Sequence, residues 1–534
     1  MSLFNTNIMI VNKINKIIVI VCLLSLVNCT KDFEEVNSNE YGFTEEDLEQ
    51  NFNNIKSLFI PIFNNILVLS PEWKYQVQQG LQGDIWSGYM ATPTPFAGGS
   101  NNTTYNLVDG WNGFAWASAY GDVMANTLKI EQRAKNKYDE FYALSLILKV
   151  TAMHRITDTY GPIVYSNFGT TNPIIGYDSQ EEVYQQMFAE LDIAVTELTS
   201  RIGAGANTTF TPTDLSGYQG DFEKWVKFAN SLRLRLAMRL VKINPSWAQL
   251  EAEKALNHPV GVIITNDELF KIVSPNYTNP IATISNAWAD IRMSADMESI
   301  MVGYDDPRLP KYFNLSVEFP GEFKGVRTGI EIVAKADHAD FSAIGSVVTT
   351  NEIVLMTAAE VYFLRAEGAL RGWSMNGTAQ SLYEQGIAMS MSQHGVSDAT
   401  TYIADNISTA IDYIDPNFPV NNASAVNNVT IAWDAAASNE VKLQKIITQK
   451  WIAGFPEGQE AWSEYRRTGY PKLFEVIKNT SGGLISSQFG VRRVNFVQSE
   501  KDGNPGGVAI GISKLGGLDN GGTRLWWDTT GPNF

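Results

Sequence analysis

Aromatic residues within polar, loop-like stretches are the part of this sequence with the clearest chemical use. Trp73, Trp86, Tyr89 and Trp111 flank or lie in the segment ATPTPFAGGSNNTTYNLVDGWN, and Trp288 lies in the stretch PNYTNPIATISNAWADIR. A flat ring on a loop can lie against the apolar C–H face of a sugar, while nearby Asp, Asn and Arg side chains bond its hydroxyl groups. An exposed aromatic surface is costly unless something binds it. The alternative is that these rings anchor their loops to the scaffold.

Catalytic and metal-binding motifs are missing from the sequence. The four histidines are far apart and none has the spacing of a metal-binding motif. They are His154, His258, His338 and His394. There is also no GxxxxGK phosphate-binding loop and no GxSxG nucleophile motif. We therefore expect no metal, no cofactor and no catalytic residue, although 57 acidic residues leave a glycoside hydrolase open as an alternative.

The charge balance limits the classes of partner. The chain of 534 residues has 40 basic and 57 acidic side chains, which gives a net charge of −17. Nucleic acid is excluded as a partner because binding phosphates requires a concentrated basic surface. No apolar run reaches the roughly 20 residues of a membrane-spanning helix.

The N-terminus has the pattern of an export signal. Lys13 and Lys16 precede the apolar run Ile17–Val27, and Cys29 follows at the position where bacterial lipoproteins carry their lipid. We predict a signal peptide over residues 1–28, lipidation of Cys29, an acidic polar tether over 29–50 and a single domain over 51–534. Translation could start at Met1 or at Met9. Losing the two lysines with the signal makes the net charge −19, that is −17 − 2.

Helical periodicity dominates the middle of the chain. The segment EEVYQQMFAELDIAVTEL places Val183, Met187, Leu191, Ala194 and Leu198 on one face, and Ser179 with Glu182 forms a capping-box pattern before it. Similar patterns occur in FYALSLILKVTAMHRITDTY, EKWVKFANSLRLRLAMRLV, NEIVLMTAAEVYFLRAEGALRGW and VKLQKIITQKWIAGF. Long Gly-, Pro- and Asn-rich stretches separate them, including 91–112, 257–290 and 479–534. The sequence therefore predicts a mainly α-helical scaffold with long loops.

Seven segments in order resemble the SusD/RagB family of Bacteroidetes outer-membrane lipoproteins, particularly its SusD-like second subgroup. They are ITDTYGPIVYS, YDSQEEVYQQMFAELDIAV, KFANSLRLRLAMRL, TAAEVYFLRAEGALRGW, TQKWIAGFPEGQEAWSEYRRTGYPKL, RVNFVQSEKDGNPGGVAI and TRLWWD. The resemblance runs from Cys29 to Phe534 and departs from the family pattern at Asn28 and at Ile163-Val164-Tyr165.

The resemblance implies a SusD-like fold with four tetratricopeptide-like helix pairs, a loop-rich ligand face with minor β structure, and a C-terminal ending of strand and turn. It also implies a surface-exposed lipoprotein, anchored to the outer membrane, that binds glycans without cleaving them and delivers them to a SusC-like TonB-dependent transporter. On the same basis, we expect the helix around Glu360 and Glu367 to belong to the scaffold.

Loop position, together with the family's use of aromatics in its N-terminal loops and mid-chain insertion, suggests a ligand site. We expect Trp86, Trp111 and Trp288 to stack on sugar, with Tyr89 beside them. The expected hydroxyl partners are Asp84, Asn112 and Arg292. The negative charge disfavours polyanionic glycans, so we expect a neutral glycan such as a β-glucan. A peptide-binding lid on the same kind of transporter stays the alternative.

The lipid anchor gives a first testable prediction. We expect the full chain, expressed in a Bacteroidetes host, to incorporate labelled palmitate and to sediment with outer membranes. Cys29→Ser should lose both properties, since the lipid attaches through its thiol. Cys22→Ser is the matched control, because Cys22 lies inside the predicted signal. Label retained in Cys29→Ser would contradict the assignment.

Overall fold

The computed structural model describes residues 49–203, 208–348 and 351–534. The predicted signal, Cys29 and residues 29–48 of the predicted tether lie outside the described residues. Residues Ile55–Phe534 pack as one unit. The helices of at least eight residues are α1 (Phe59–Ile66), α2 (Ala125–Ala134), α3 (Asp139–Tyr160), α4 (Gln180–Ser200), α5 (Phe222–Arg239), α6 (Pro245–Asn257), α7 (Ala358–Leu370), α8 (Ala379–Gln393), α9 (Asn439–Gly454), α10 (Gly458–Thr468) and α11 (Pro505–Leu515).

Local sequence signals explain the ends of the long helices. At the start of α4, the Ser179 hydroxyl accepts from the Glu182 backbone N–H, and the Glu182 carboxylate accepts from the Ser179 N–H, as a capping box requires. The five residues predicted to face inward on α4 are all buried. Helix α3 ends at Tyr160, where Gly161 has a φ of +88° and Pro162 follows. These predicted features are confirmed.

The long helices pack as four consecutive pairs, which confirms the predicted fold. Helix α3 packs on α4, α5 on α6, α7 on α8, and α9 on α10. Neighbouring pairs also meet, because α4 contacts α5 and α7 contacts both α5 and α9. Within the described part of the chain, no helix is long and apolar enough to cross a membrane.

In the described part of the chain, four short strands form two antiparallel pairs. Strand β1 (Met90–Ala91) pairs with β3 (Arg292–Met293), and β2 (Phe270–Val273) pairs with β4 (Glu352–Met356). The first pair joins the N-terminal loop region to the mid-chain segment that carries Trp288. Two distant aromatic stretches of the sequence are thereby tied together.

Two expectations of local structure are wrong. The segment NEIVLM, which we expected to be helical, forms β4, and the helix starts only at Ala358 after the Thr357 cap. The isoleucine and valine at its centre favour an extended chain. The expected C-terminal strand and turn instead includes a short helix (Gln498–Gly503) and α11. The side chain of Asn504 caps α11, and Pro505 is the first residue of the helix. Both features favour a helix start, and the helix forms although it contains several glycines, which disfavour helices.

Buried charges connect the four helix pairs. Arg239 on α5 contacts Glu460 at 2.6 Å and also Glu464, both on α10. The guanidinium of Arg235 lies 2.7 Å from the Glu360 carboxylate on α7. Three further contacts extend the network: Asp158 on α3 contacts Arg239, Arg467 on α10 contacts Glu367 on α7, and Lys450 on α9 contacts Glu464. Glu360 and Glu367 thus belong to the scaffold, as expected.

The stability that this network gives the fold depends on pH, because its carboxylates can take up protons. Burial alone would raise the pKa of Glu460, but Arg239 and Arg235 more than offset it, and the pKa falls to about 2. Burial likewise opposes ionisation of Glu464, yet Arg467 and Lys450 hold its pKa well below the usual range. The stability that these groups supply is present above their ordinary pKa near 4.5 and is lost as the pH falls toward 2.

Removing one cation from this network should destabilise the fold strongly. We expect Arg239→Met to lower the free energy of unfolding by about 3–5 kcal/mol, because it leaves buried carboxylates without their partner. Arg201→Met is the matched control, since Arg201 pairs with Glu197 on the surface and is 40% exposed. Its effect should stay near about 0–1 kcal/mol. Equal losses in the two variants, measured by denaturant unfolding, would contradict this role of the network.

Candidate ligand-binding face

The predicted residue Trp86 lies inside the protein. Its side chain is 6% exposed, its indole N–H donates to the carbonyl of Asn102 at 3.0 Å, and its ring packs 4.8 Å from that of Trp462 on α10. The ring therefore anchors the N-terminal loop to the scaffold. It offers almost no surface on which a sugar could stack.

Tyr89 and Asp84, two further predicted site residues, are also buried. The Tyr89 hydroxyl donates to the carbonyl of Trp451 on α9 at 2.5 Å, and its ring is fully buried. The Asp84 carboxylate accepts from the Tyr75 hydroxyl at 3.1 Å and from the Gln79 amide at 3.2 Å. Burial, and secondarily the nearby Glu457, raises the pKa of Asp84 to about 8, so this carboxyl is largely protonated at neutral pH.

Asn112 and Arg292, the other two predicted hydroxyl partners, bond to the protein itself. The side-chain oxygen of Asn112 accepts from Gln82 and from Asn102. Arg292 donates to the carbonyls of Ser285 at 2.8 Å and Ala339 at 2.6 Å. Both side chains are buried. They help to shape the loops that carry Trp111 and Trp288. Burial keeps both side chains from a ligand on the surface in this conformation, although the Asn112 side-chain nitrogen has no hydrogen-bond partner.

Partly exposed rings remain on the same loops. Trp111 and Trp288, both predicted, are half-buried, and Trp73 is 45% exposed. The ring of Trp73 meets that of Phe114 edge-on at 5.2 Å, and Phe96 meets Trp111 in the same way at 6.2 Å. We call these five residues the aromatic face. Trp73 was noted among the aromatics near the loop but was not predicted to stack on sugar. The charged residues on either side of it, Glu72 and Lys74, are a signal of exposure.

Asp290 ties the segments of the aromatic face together. Its carboxylate accepts from the Thr94 hydroxyl at 2.6 Å, from the Gln76 amide at 3.0 Å and from the Lys335 ammonium at 2.6 Å. Thr94 precedes Phe96 by two residues, Gln76 follows Trp73 by three, and Asp290 itself follows Trp288 by two. Asp290 therefore ties together the three segments that carry the tryptophans. No pattern in the sequence pointed to Asp290.

The arrangement offers flat rings for stacking, with polar side chains nearby in the sequence. Asn106, Asp109 and Asn286 are exposed polar residues within five positions of Trp111 or Trp288 in the sequence, and such side chains can bond hydroxyl groups. Among the described residues, no group of three or more His, Cys, Asp or Glu side chains is placed to hold a metal ion. The partly exposed rings supply flat apolar surface.

The buried carboxyl of Asp84 gives a pH prediction. Its folded pKa of about 8 lies above the ordinary 3.8, so unfolding releases a proton between these values and stability falls as the pH rises. Asp84→Asn resembles the protonated form and cannot release that proton. We expect its thermal midpoint to fall less than that of the wild type between pH 5 and pH 9. Parallel pH profiles for the two proteins would contradict the assignment.

Comparison with known proteins places the chain in a family. The family model described as "SusD-like: Susd and RagB outer membrane lipoprotein" matches residues 35–528. No curated protein sequence matches the chain.

Solved structures agree with the family match. A chitin-binding SusD homolog from Flavobacterium johnsoniae is 68% identical, with 90% of this chain and 100% of that chain covered and a TM-score of 0.89. A SusD homolog from Bacteroides vulgatus is 39% identical, with 91% and 100% covered and a TM-score of 0.85. One from Bacteroides uniformis is 36% identical, with 89% and 99% covered and a TM-score of 0.82. The chain therefore belongs to the SusD/RagB family of outer-membrane lipoproteins.

Proposed function

We propose that this protein binds chitin and its β-linked oligosaccharides at the cell surface without cleaving them. The observation that carries the proposal is the 68% identity, over 90% of the chain, to a structure described as a chitin-binding SusD homolog. Chitin is neutral, so it belongs to the class of glycan that the net charge of −17 favours. This similarity moves our preference from a β-glucan to chitin.

The aromatic face is the proposed binding surface. Trp73, Trp111 and Trp288 would stack on successive sugar rings, because they are the partly exposed tryptophans that Asp290 connects. The buried Trp86, Tyr89, Asp84, Asn112 and Arg292 would act indirectly by fixing the loops. Lys74, Asp109 and Asn286 would bond hydroxyl or amide groups of the sugar. The Lys74 ammonium lies 5.8 Å from the Trp73 ring centre, and Asp109 and Asn286 are exposed.

The captured glycan would then pass to a SusC-like TonB-dependent transporter, with Cys29 holding the protein at the outer membrane through its lipid. Support for this step comes from family membership and from the signal pattern before Cys29.

Calorimetric titration tests the proposal. Soluble protein starting after Cys29 should bind chitin hexasaccharide. Each of Trp73→Ala, Trp111→Ala and Trp288→Ala should weaken binding about two- to tenfold, which corresponds to the free energy of one stacked aromatic contact. Trp373→Ala is the matched control, since Trp373 is also half-buried but lies in the turn between α7 and α8. Laminarin, mannan and alginate are the comparison ligands.

Three outcomes would count against this proposal. Tighter binding of laminarin or mannan than of chitin hexasaccharide would refute the chitin assignment. Unchanged affinity in all three face variants would refute the location. Release of shorter oligosaccharides during incubation would show an enzyme instead.

A further inference from the structure

A cavity of about 280 Å³ lies where the N-terminal segment meets the helix pairs. Tyr75 and Gln79 line it from the N-terminal side, while α9, α10 and strand β4 supply the opposite walls. None of the three tryptophans of the aromatic face lines it. Its volume is close to the lower end of about 300–1,000 Å³ that is typical of small-molecule sites.

The floor of the cavity carries charges that are already paired. Glu360, Glu460 and Glu464 line it, and each contacts a guanidinium of the buried network. The ammonium of Lys450 lies 3.2 Å from Glu464 and 3.4 Å from Glu460. An ionic ligand would add an unbalanced charge here, and no partner would offset the free-energy cost of desolvating that charge. The floor therefore favours an uncharged ligand.

One wall of the cavity is aromatic. The Tyr89 ring lies 5.1 Å from that of Trp451 and 5.3 Å from that of Phe455, and all three residues line the cavity. The hydroxyl of Tyr89 is already bonded to the Trp451 carbonyl. This wall therefore offers mainly apolar contact, of the kind that the C–H face of a sugar can make.

Several lining residues are partly exposed. They include Glu352 and Ile353 of β4, and Gln393 and His394 at the end of α8. The Gln393 side-chain oxygen and the His394 Nε2 atom are buried and have no hydrogen-bond partner. Burial, with help from Arg308, lowers the pKa of His394 to about 4, so the ring is neutral at physiological pH. Such unpaired buried groups are uncommon in folded proteins.

We propose that this cavity is a second ligand site that takes one or two uncharged sugar units and is separate from the aromatic face. The Gln393 oxygen is covered in this conformation and has no hydrogen-bond partner, so a rotation of its side chain would let it accept from a hydroxyl or amide N–H group of the sugar without breaking a bond. The aromatic wall would cover the apolar face of the sugar. The choice of sugar rests on the proposed function. The existence of a site for a small neutral polyol rests on the cavity and its unpaired atoms.

The test uses N-acetylglucosamine and N,N′-diacetylchitobiose as probes, with binding followed by saturation-transfer NMR and calorimetry. Gln393→Leu keeps the side-chain size and removes the acceptor, so we expect about tenfold weaker binding. Ala461→Leu fills part of the cavity from α10 and should abolish binding. Gln385→Leu, an exposed position on the same helix as Gln393, is the matched control and should bind normally.

The variants of the aromatic face separate this inference from the proposed function. Trp111→Ala should weaken chitin hexasaccharide and leave binding of N-acetylglucosamine unchanged. Failure of both probes to bind the wild type would overturn the second site even if the hexasaccharide binds. Probe binding that survives both Gln393→Leu and Ala461→Leu would overturn it as well. Probe binding in the cavity without hexasaccharide binding would support the second site and count against the proposed function.

Discussion

Arg239 makes the contact on which the rest of the structure depends. This buried guanidinium on α5 reaches Asp158 on α3 and both Glu460 and Glu464 on α10. Buried charges are tolerated only when each has a partner in good geometry. Sliding one helix along its neighbour would break several of these ion pairs at once. The network therefore specifies the register of the helix pairs more strictly than apolar packing alone would.

The loops take their positions from this fixed scaffold. Trp86 packs on Trp462 and Tyr89 bonds to the Trp451 carbonyl, so the N-terminal segment is held against α10 and α9. Gly458 sits directly over Asp84, where a Cβ atom would come within 2.4 Å of the carboxylate. This close approach requires glycine at the start of α10. With one side of the segment fixed in this way, Trp73 and Trp111 are left partly exposed on the other.

Sequence predicted the scaffold better than the site for a physical reason. The capping box and the inward-facing residues of α4 are local patterns within about 20 residues. Both could therefore be predicted from the sequence alone. Trp86 and Trp111 lie in similar polar surroundings, yet only Trp86 has a distant partner, Trp462, that buries it. Long-range contacts of this kind leave no local signal. The same applies to Asp290, whose three partners lie 45, 196 and 214 residues away in the chain.

The central claim is that the partly exposed tryptophans form one surface for a neutral glycan. A crystal structure of the soluble protein with bound chitin hexasaccharide tests it most directly. The account predicts density for sugar rings stacked on at least two of Trp73, Trp111 and Trp288, with the buried network unchanged. A bound hexasaccharide with no sugar ring stacked on any of these three tryptophans would contradict it.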